Sequence, residues 1–201
     1  MGEYMERGRK SPHAILSGEP PAIVLIKEDH QMFRALFDRA QEEDGPALFS
    51  LAGEICVRLA IHMTLEEDIL YPALKLAIGA GKIDEGIVEH DLAKTLIVDL
   101  VHMTGREERY KSKVHVLGEE VMHHIEEEDR GLLADARMAW EQGKVDLPIV
   151  CRQMLKRRHQ LYDAITAMGS GCEPEIEPVG DEIEEYASGA PTGLEGAGGI
   201  R

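Results

Sequence analysis

Apolar residues recur every three or four positions along most of the chain, which is the period of an amphipathic α-helix. The pattern predicts five helices, at about residues 22–43, 47–80, 84–103, 107–142 and 147–168. Glycine and proline occur where each pattern stops, as in the turn signal Asp44-Gly45-Pro46. No segment alternates apolar and polar residues with the period of two that a strand needs. The sequence therefore predicts an all-α fold.

The two ends of the 201-residue chain differ from its middle. Residues 1–19 form a polar leader, residues 20–145 a helical bundle and residues 146–169 an additional helix. Residues 170–201 hold eight acidic residues and one basic residue, with repeated glycine and proline. Such a segment buries too little apolar surface to offset its ordering entropy, so we expect a disordered acidic tail.

One histidine lies on the apolar stripe of each of the first four predicted helices. Two of the four are followed by a glutamate four residues later, which places both side chains on one helix face about 6 Å apart along the axis. Buried without partners these groups would be costly, and a metal ion removes that cost. The candidate metal ligands are His30, His62, Glu66, His90, His124 and Glu128.

The HxxxE spacing alone does not select these ligands, because His115/Glu119 and His123/Glu127 also match it. The apolar stripe discriminates, since His123 and Glu127 lie about 100° away from it and should be solvated. In the second helix the stripe extends through Ile69 and Ala73, and Pro72 should kink that helix.

The two halves of the chain repeat one arrangement. His30 precedes His62 by 32 residues, and His90 precedes His124 by 34. The segments HMTLEEDILYPAL and HIEEEDRGLLADA, which begin at His62 and His124, are also similar. Two helical hairpins of this kind, packed together, would form a pseudo-twofold site for two metal ions.

At these residues the chain resembles the hemerythrin-like family of HHE cation-binding domains, over about residues 22–142. The resemblance implies an up-down four-helix bundle that holds two non-haem iron ions (Fe2+/Fe3+) with an oxo or hydroxo bridge. His30 and His62 would hold one iron and His90 and His124 the other, with Glu66 and Glu128 bridging.

One position departs from the oxygen-carrying hemerythrins. Their fifth histidine, one turn after the third-helix histidine, is Lys94 here, and only His102 or another distant histidine could substitute for it. We expect Lys94 to extend its ammonium towards solvent. An open coordination position on iron could bind or reduce a small oxidant such as O2, NO or peroxide. Iron storage or donation, or redox sensing through the fifth helix and the tail, are the alternatives, and the sequence does not decide whether the protein is an enzyme.

Other metal sites fit less well. Ferritin-like bundles need two ExxH pairs, and only Glu120/His123 has that spacing, away from the stripe. Structural zinc favours four closely spaced cysteine or histidine ligands.

Composition restricts partners and location. The net charge of -16 disfavours nucleic acid, and no apolar run approaches the ~20 residues that span a bilayer. Three cysteines without CxxC spacing, and no signal-peptide pattern at the N-terminus, favour the cytoplasm. In the fifth helix a basic group that includes Arg157 and Arg158 should be solvated, and the apolar face could pack on the bundle or form a homodimer.

Overall fold

A computed structural model of the protein describes residues 18–167, and these contain helices without strands. We label the helices α1 (Pro21–Glu42), α2 (Gly45–Ile78), α3 (Gly81–Val101), α4 (residues 110–141) and α5 (Leu147–Ala167). The all-α prediction is confirmed. The predicted tail and nearly all of the predicted leader lie outside the described residues.

The ends of the helices follow local backbone chemistry. Pro21 occupies the first position of α1, where a helix does not use the amide hydrogen that proline lacks. Gly79 ends α2 with a φ of +90°, which glycine adopts without strain, and α3 begins two residues later. The predicted start of α4 at Glu107 is wrong by three residues. The Glu107 carboxylate instead accepts hydrogen bonds from the backbone amides of Thr104 and Arg106, and this turn precedes the helix.

Both long helices contain a π-helical turn, in which backbone hydrogen bonds span five residues instead of four. The turns are Glu66–Leu70 in α2 and Glu128–Leu132 in α4, so each begins at a glutamate of an HxxxE pair. Pro72 follows the first turn, but the second has no proline, so proline does not account for both. Such turns are rare and occur often at functional sites.

The π turn in α2 corrects the predicted register. Beyond Glu66 the buried residues of α2 are Leu70, Tyr71 and Leu74, whereas Ile69 and Ala73, predicted from a regular helix to face inwards, are only partly buried. The wider turn adds one residue, so each later inward position moves by one.

The bundle has two apolar cores separated by a polar layer. In α1 the residues 22–26 belong to one core, His30 follows, and the residues 33–40 belong to the other. α4 meets the two cores in the reverse order along the chain, and its residues His124 and Glu128 lie at the boundary between them. The candidate ligands therefore lie at one level of the bundle, with packed aliphatic side chains above and below them.

α5 packs on α1 and α2 of the same chain. Its buried face consists of Leu147, Val150, Cys151, Met154 and Leu155. A homodimer through α5 stays a prediction. α2 is apolar and long enough by composition to cross a membrane, but 56% of its most apolar window is buried inside the bundle. Core helices pass the same test, and α2 also carries buried His62 and Glu66.

Candidate metal centre

Six polar side chains occupy the layer between the two apolar cores. Among residues 18–167 they belong to the buried polar or charged residues, none of which is more than 8% exposed as a whole. They come from all four helices of the bundle and are the six ligands predicted from the sequence: His30, His62, Glu66, His90, His124 and Glu128. The structure thus brings all the predicted ligands together, and their role in metal binding stays a prediction.

The ligand atoms form two overlapping groups. Within each group the atoms lie within 4.8 Å of one another, and the groups are His30, His62, Glu66 and Glu128, and Glu66, His90 and His124. The two oxygens of Glu66 lie 3.4 Å from His62 Nε2 and 3.2 Å from His90 Nε2. Glu128 Oε2 lies 3.2 Å from His30 Nε2 and 3.9 Å from His124 Nε2. Each glutamate therefore lies between one histidine of the first pair and one of the second, as a bridging carboxylate would.

Each histidine ring also contacts a second carboxylate through Nδ1. The distances are 2.8 Å for His30–Asp129, 3.1 Å for His62–Asp29, 2.7 Å for His90–Glu67 and 2.7 Å for His124–Glu89. An ionised carboxylate can only accept, so each Nδ1 carries the hydrogen and donates it. This fixes the rings and leaves every Nε2 for a metal or an added proton.

The inner atoms of this layer fit a bound cation. His30 Nε2, His62 Nε2 and all four carboxylate oxygens of Glu66 and Glu128 are buried without a hydrogen-bond partner among the described residues. His90 Nε2 and His124 Nε2 face each other at 3.2 Å, where two lone pairs repel unless a proton or a metal ion lies between them. Leaving carboxylates buried in this way costs several kcal/mol. Imidazole and carboxylate together suit iron, with manganese or zinc as substitutes.

Protonation of the site's own side chains can offset part of its buried negative charge. Burial and the neighbouring Glu128 raise the pKa of Glu66 well above its usual range. Burial alone would lower the pKa of His30, but its contacts with Asp129 and Glu128 outweigh that effect and raise the pKa to about 10. Burial lowers the pKa of His62 to about 4, despite its bond to Asp29. Both shifts favour the protonated form, of His30 through its carboxylate neighbours and of Glu66 through its burial.

A family profile described as the hemerythrin HHE cation-binding domain matches residues 22–136, more than half of the chain. The chain belongs to the hemerythrin family. The match ends within α4, so α5 lies outside the shared hemerythrin domain.

One curated protein is similar to this hemerythrin-family chain over a limited region. It is a DNA nickase from Nostoc sp. (strain PCC 7120 / SAG 25.82 / UTEX 2576), 28% identical over 114 residues. The alignment covers 56% of this chain and 32% of the nickase, so the chain spans about a third of that protein's length. No solved structure matches the chain significantly.

The four carboxylates that accept the Nδ1 hydrogens, here called the outer carboxylates, differ in their basic partners. Arg34 lies 3.2 Å from Asp129, Arg158 of α5 lies 2.6 Å from Asp29, and Lys94 lies 2.6 Å from Glu67. For Glu89, residues 18–167 provide no lysine or arginine partner. Lys94 therefore does not simply extend into solvent, because its ammonium contacts the carboxylate that orients His90. The expected solvated basic face on α5 is likewise wrong for Arg158, whose side chain is 14% exposed.

A buried phenol and a cavity lie beside the second histidine pair. The Tyr71 hydroxyl is 3.5 Å from His90 Nε2, and its side chain is almost fully buried. A cavity of about 360 Å³ extends from Tyr71, His124 and Glu128 past Gly86. A Cβ at Gly86 would lie 3.1 Å from the Tyr71 hydroxyl, so the glycine leaves room for that group.

The remaining sequence candidates lie outside the buried layer. His102 is exposed at the end of α3 and donates to the Val98 carbonyl at 2.7 Å, so it is no substitute for a fifth histidine. His123 and Glu127 are exposed, as predicted, and lie close to Glu89. His115 and Glu119 form another exposed pair.

Sequence reasoning missed the four outer carboxylates and Tyr71. A signal for the carboxylates was available, because each lies next to a ligand in the chain: Asp29 before His30, Glu89 before His90, Glu67 after Glu66 and Asp129 after Glu128. The repeated unit is therefore an acidic residue and histidine on one helix, and HxxxE with a further acidic residue on the next. Tyr71 has no counterpart in the second hairpin and gives no such signal.

Proposed function

We propose that the protein is a non-haem di-iron protein that binds or reduces a small oxidant, O2, NO or peroxide. One observation carries the proposal: four histidines offer Nε2 to two carboxylates that have no other partner among the described residues. His30 and His62 would hold one iron, His90 and His124 the other, with Glu66 and Glu128 shared between them. The two ions would supply a binding position and electrons for the oxidant.

The surrounding residues would orient the ligands and control access. Asp129, Asp29, Glu67 and Glu89 hold the four imidazole rings, which increases their basicity as ligands. The apolar cores close the layer on both sides along the bundle axis, so that access is from the side, through the cavity at His124 and Glu128. Tyr71 presents a hydroxyl beside the second pair, where the cavity reaches the site, and can donate a hydrogen bond to a small ligand there.

The proposal is tested on protein purified without a metal-binding tag. We expect about two irons per chain and near-ultraviolet absorption that bleaches with dithionite and returns with air. Less than half an iron per chain after anaerobic reconstitution with Fe2+ would refute it. A spectrum that is unchanged by NO, azide or peroxide would leave a di-iron site without the proposed ligand chemistry.

A second candidate, redox sensing, is favoured by one observation. Arg158 of α5 contacts Asp29, which in turn orients His62, so the helix outside the family match is connected to a candidate ligand. Iron-dependent protection of α5 amides in hydrogen exchange would support sensing, and identical protection with and without iron would oppose it. Iron storage or donation predicts instead rapid loss of iron to a competing apo-protein.

The DNA-nicking activity named for the Nostoc protein is not carried over to this chain. The match covers about a third of the nickase, and the net charge of -16 disfavours the phosphate contacts on which DNA binding depends. We propose a cytoplasmic protein that does not act on nucleic acid or in a membrane.

A further inference from the structure

The exposed pair His123 and Glu127 of α4 lies beside a third carboxylate or imidazole ligand on the adjacent helix α3. His123 Nε2 lies 3.3 Å from Glu127 Oε1, and ligand atoms of these two residues and of Glu89 in α3 all lie within 4.8 Å of one another. The group combines one imidazole with two carboxylates. Divalent first-row metals such as Fe2+, Co2+ and Zn2+ accept such a mixed donor set.

Glu89 connects this surface group to the buried centre. Its Oε2 accepts the Nδ1 hydrogen of His124 at 2.7 Å. The three equivalent outer carboxylates each have an arginine or lysine partner, whereas the described part of the chain provides none for Glu89. Its side chain is only 19% exposed, so this negative charge is partly shielded from water without a cation to balance it.

One cavity extends from the two carboxylates of the surface group to the candidate ligands. Glu89 and Glu127 line the same space of about 360 Å³ that is lined by His124 and Glu128. Glu128 is 4% exposed, and both of its carboxylate oxygens lack a hydrogen-bond partner in the described residues. A cation in this cavity would thus find carboxylate oxygens at both the surface and the buried end.

The charge of the cavity favours cations. Five glutamates line it, at positions 85, 89, 126, 127 and 128. Its two basic residues are already engaged, Lys82 with Asp135 at 2.6 Å and Arg130 with Glu126 at 3.4 Å. A cleft lined mainly by one sign of charge raises the local concentration of counter-ions and accelerates their association.

We propose that Glu89, His123 and Glu127 form an outer site for a divalent transition-metal ion, from which the ion passes through the cavity to the His90/His124 half of the centre. This inference rests on the proposed metal-binding function. It assigns a role to an HxxxE pair that the buried centre does not use.

The chain contains a matched control. His115 and Glu119 lie on the same helix with the same spacing, 3.4 Å between Nε2 and Oε1 and similar exposure, but the described residues place no third ligand beside them. The test compares the full-length apo-protein with the double variants His123→Ala/Glu127→Ala and His115→Ala/Glu119→Ala. Co2+ is the probe, because its visible bands report coordination without oxidation during mixing.

We expect the unmodified protein and the His115/Glu119 variant to bind two Co2+ tightly and a third weakly. The His123/Glu127 variant should keep the tight ions, lose the weak one and load about tenfold more slowly at low salt, since steering of this kind changes association rates by about 10- to 1,000-fold. Added salt should reduce the difference. If all three proteins bind two ions tightly, bind no third ion and load at equal rates, the inference is overturned and the proposed function stays intact. Absence of tight ions from the unmodified protein would instead refute the proposed function.

Discussion

Two adjacent arginines of α5 provide the sharpest test of how this helix is connected to the centre. Arg158 binds Asp29 at 2.6 Å, with both side chains about one-seventh exposed (14% and 13%). Arg157 binds Asp68 at 3.0 Å, with side chains 39% and 48% exposed. The two substitutions Arg158→Ala and Arg157→Ala remove the same groups from the same helix, so only the environment differs.

The expected magnitudes follow from that environment. Removing one partner of a fully buried ion pair costs about 3–5 kcal/mol, because the other charge is left without compensation. Asp29 keeps its bond to His62 and some contact with water, so we expect about 2–3 kcal/mol for Arg158→Ala. The exposed pair of Arg157 should be worth about 0.2–1 kcal/mol. In a chain of this size the Arg158 variant should lose about 4–12 °C in Tm.

The measurement is urea unfolding of the apo-proteins, followed by helical circular dichroism. Equal losses of unfolding free energy for the two variants, or a loss under about 0.5 kcal/mol for Arg158→Ala, would refute the reasoning. A double-mutant cycle with Asp29→Ala should give a coupling energy above about 1 kcal/mol for Arg158 and near zero for Arg157. Because loss of an outer partner weakens metal binding by about 10- to 100-fold and Arg158 acts one contact further out, its variant should lose about tenfold or less in metal affinity.

Three other predictions concern the buried layer. Glu66→Ala or Glu128→Ala should abolish tight binding of at least one metal ion, measured as metal per chain. The control variant Glu127→Ala should retain both tight ions. An equal loss of metal in all three variants would contradict the assignment of Glu66 and Glu128 as the bridging carboxylates. Metal binding at pH 7 should release one proton from His30, because its contacts raise its pKa to about 10. Below that pH the apparent metal affinity should therefore increase about tenfold for each unit by which the pH is raised. Calorimetry in buffers of different ionisation enthalpy counts this proton, and none released would contradict the pKa argument. Tyr71→Phe should keep the metal content but shift the spectrum of the azide complex, and an unchanged spectrum would remove the hydroxyl from the ligand pocket.

The fold and the buried ligand layer could be predicted because both depend on periodicity. His30, His90 and His124 interrupt apolar stripes at regular helical spacing, so their convergence follows from packing the stripes together. The register beyond Glu66 could not be predicted in this way. A π turn adds one residue without a composition signal of its own, and it moves the buried positions to Leu70 and Leu74.

The outer contacts depend on how different helices meet. Glu89 and Lys94 are charged residues of the kind found on a solvated helix face. The packing of α3 against α4 and α2 shows that Lys94 binds Glu67, whereas Glu89 has no lysine or arginine partner among residues 18–167. Arg158 is a similar case, because its partner lies 129 positions away in the chain. Contacts of such separation are not contained in any local pattern.

Each helical hairpin provides one outer carboxylate to a histidine of the other hairpin, which bears on how such a site could arise. His30 of the first hairpin is held by Asp129 of the second, and His90 of the second by Glu67 of the first. A lone hairpin would therefore lack half of the contacts that orient its rings, yet two identical copies would supply all of them. The arrangement is that of a symmetric dimer of hairpins whose two subunits are joined in one chain at the turn that contains Gly79. A backbone cut at that turn should leave two fragments that reassemble around the shared centre.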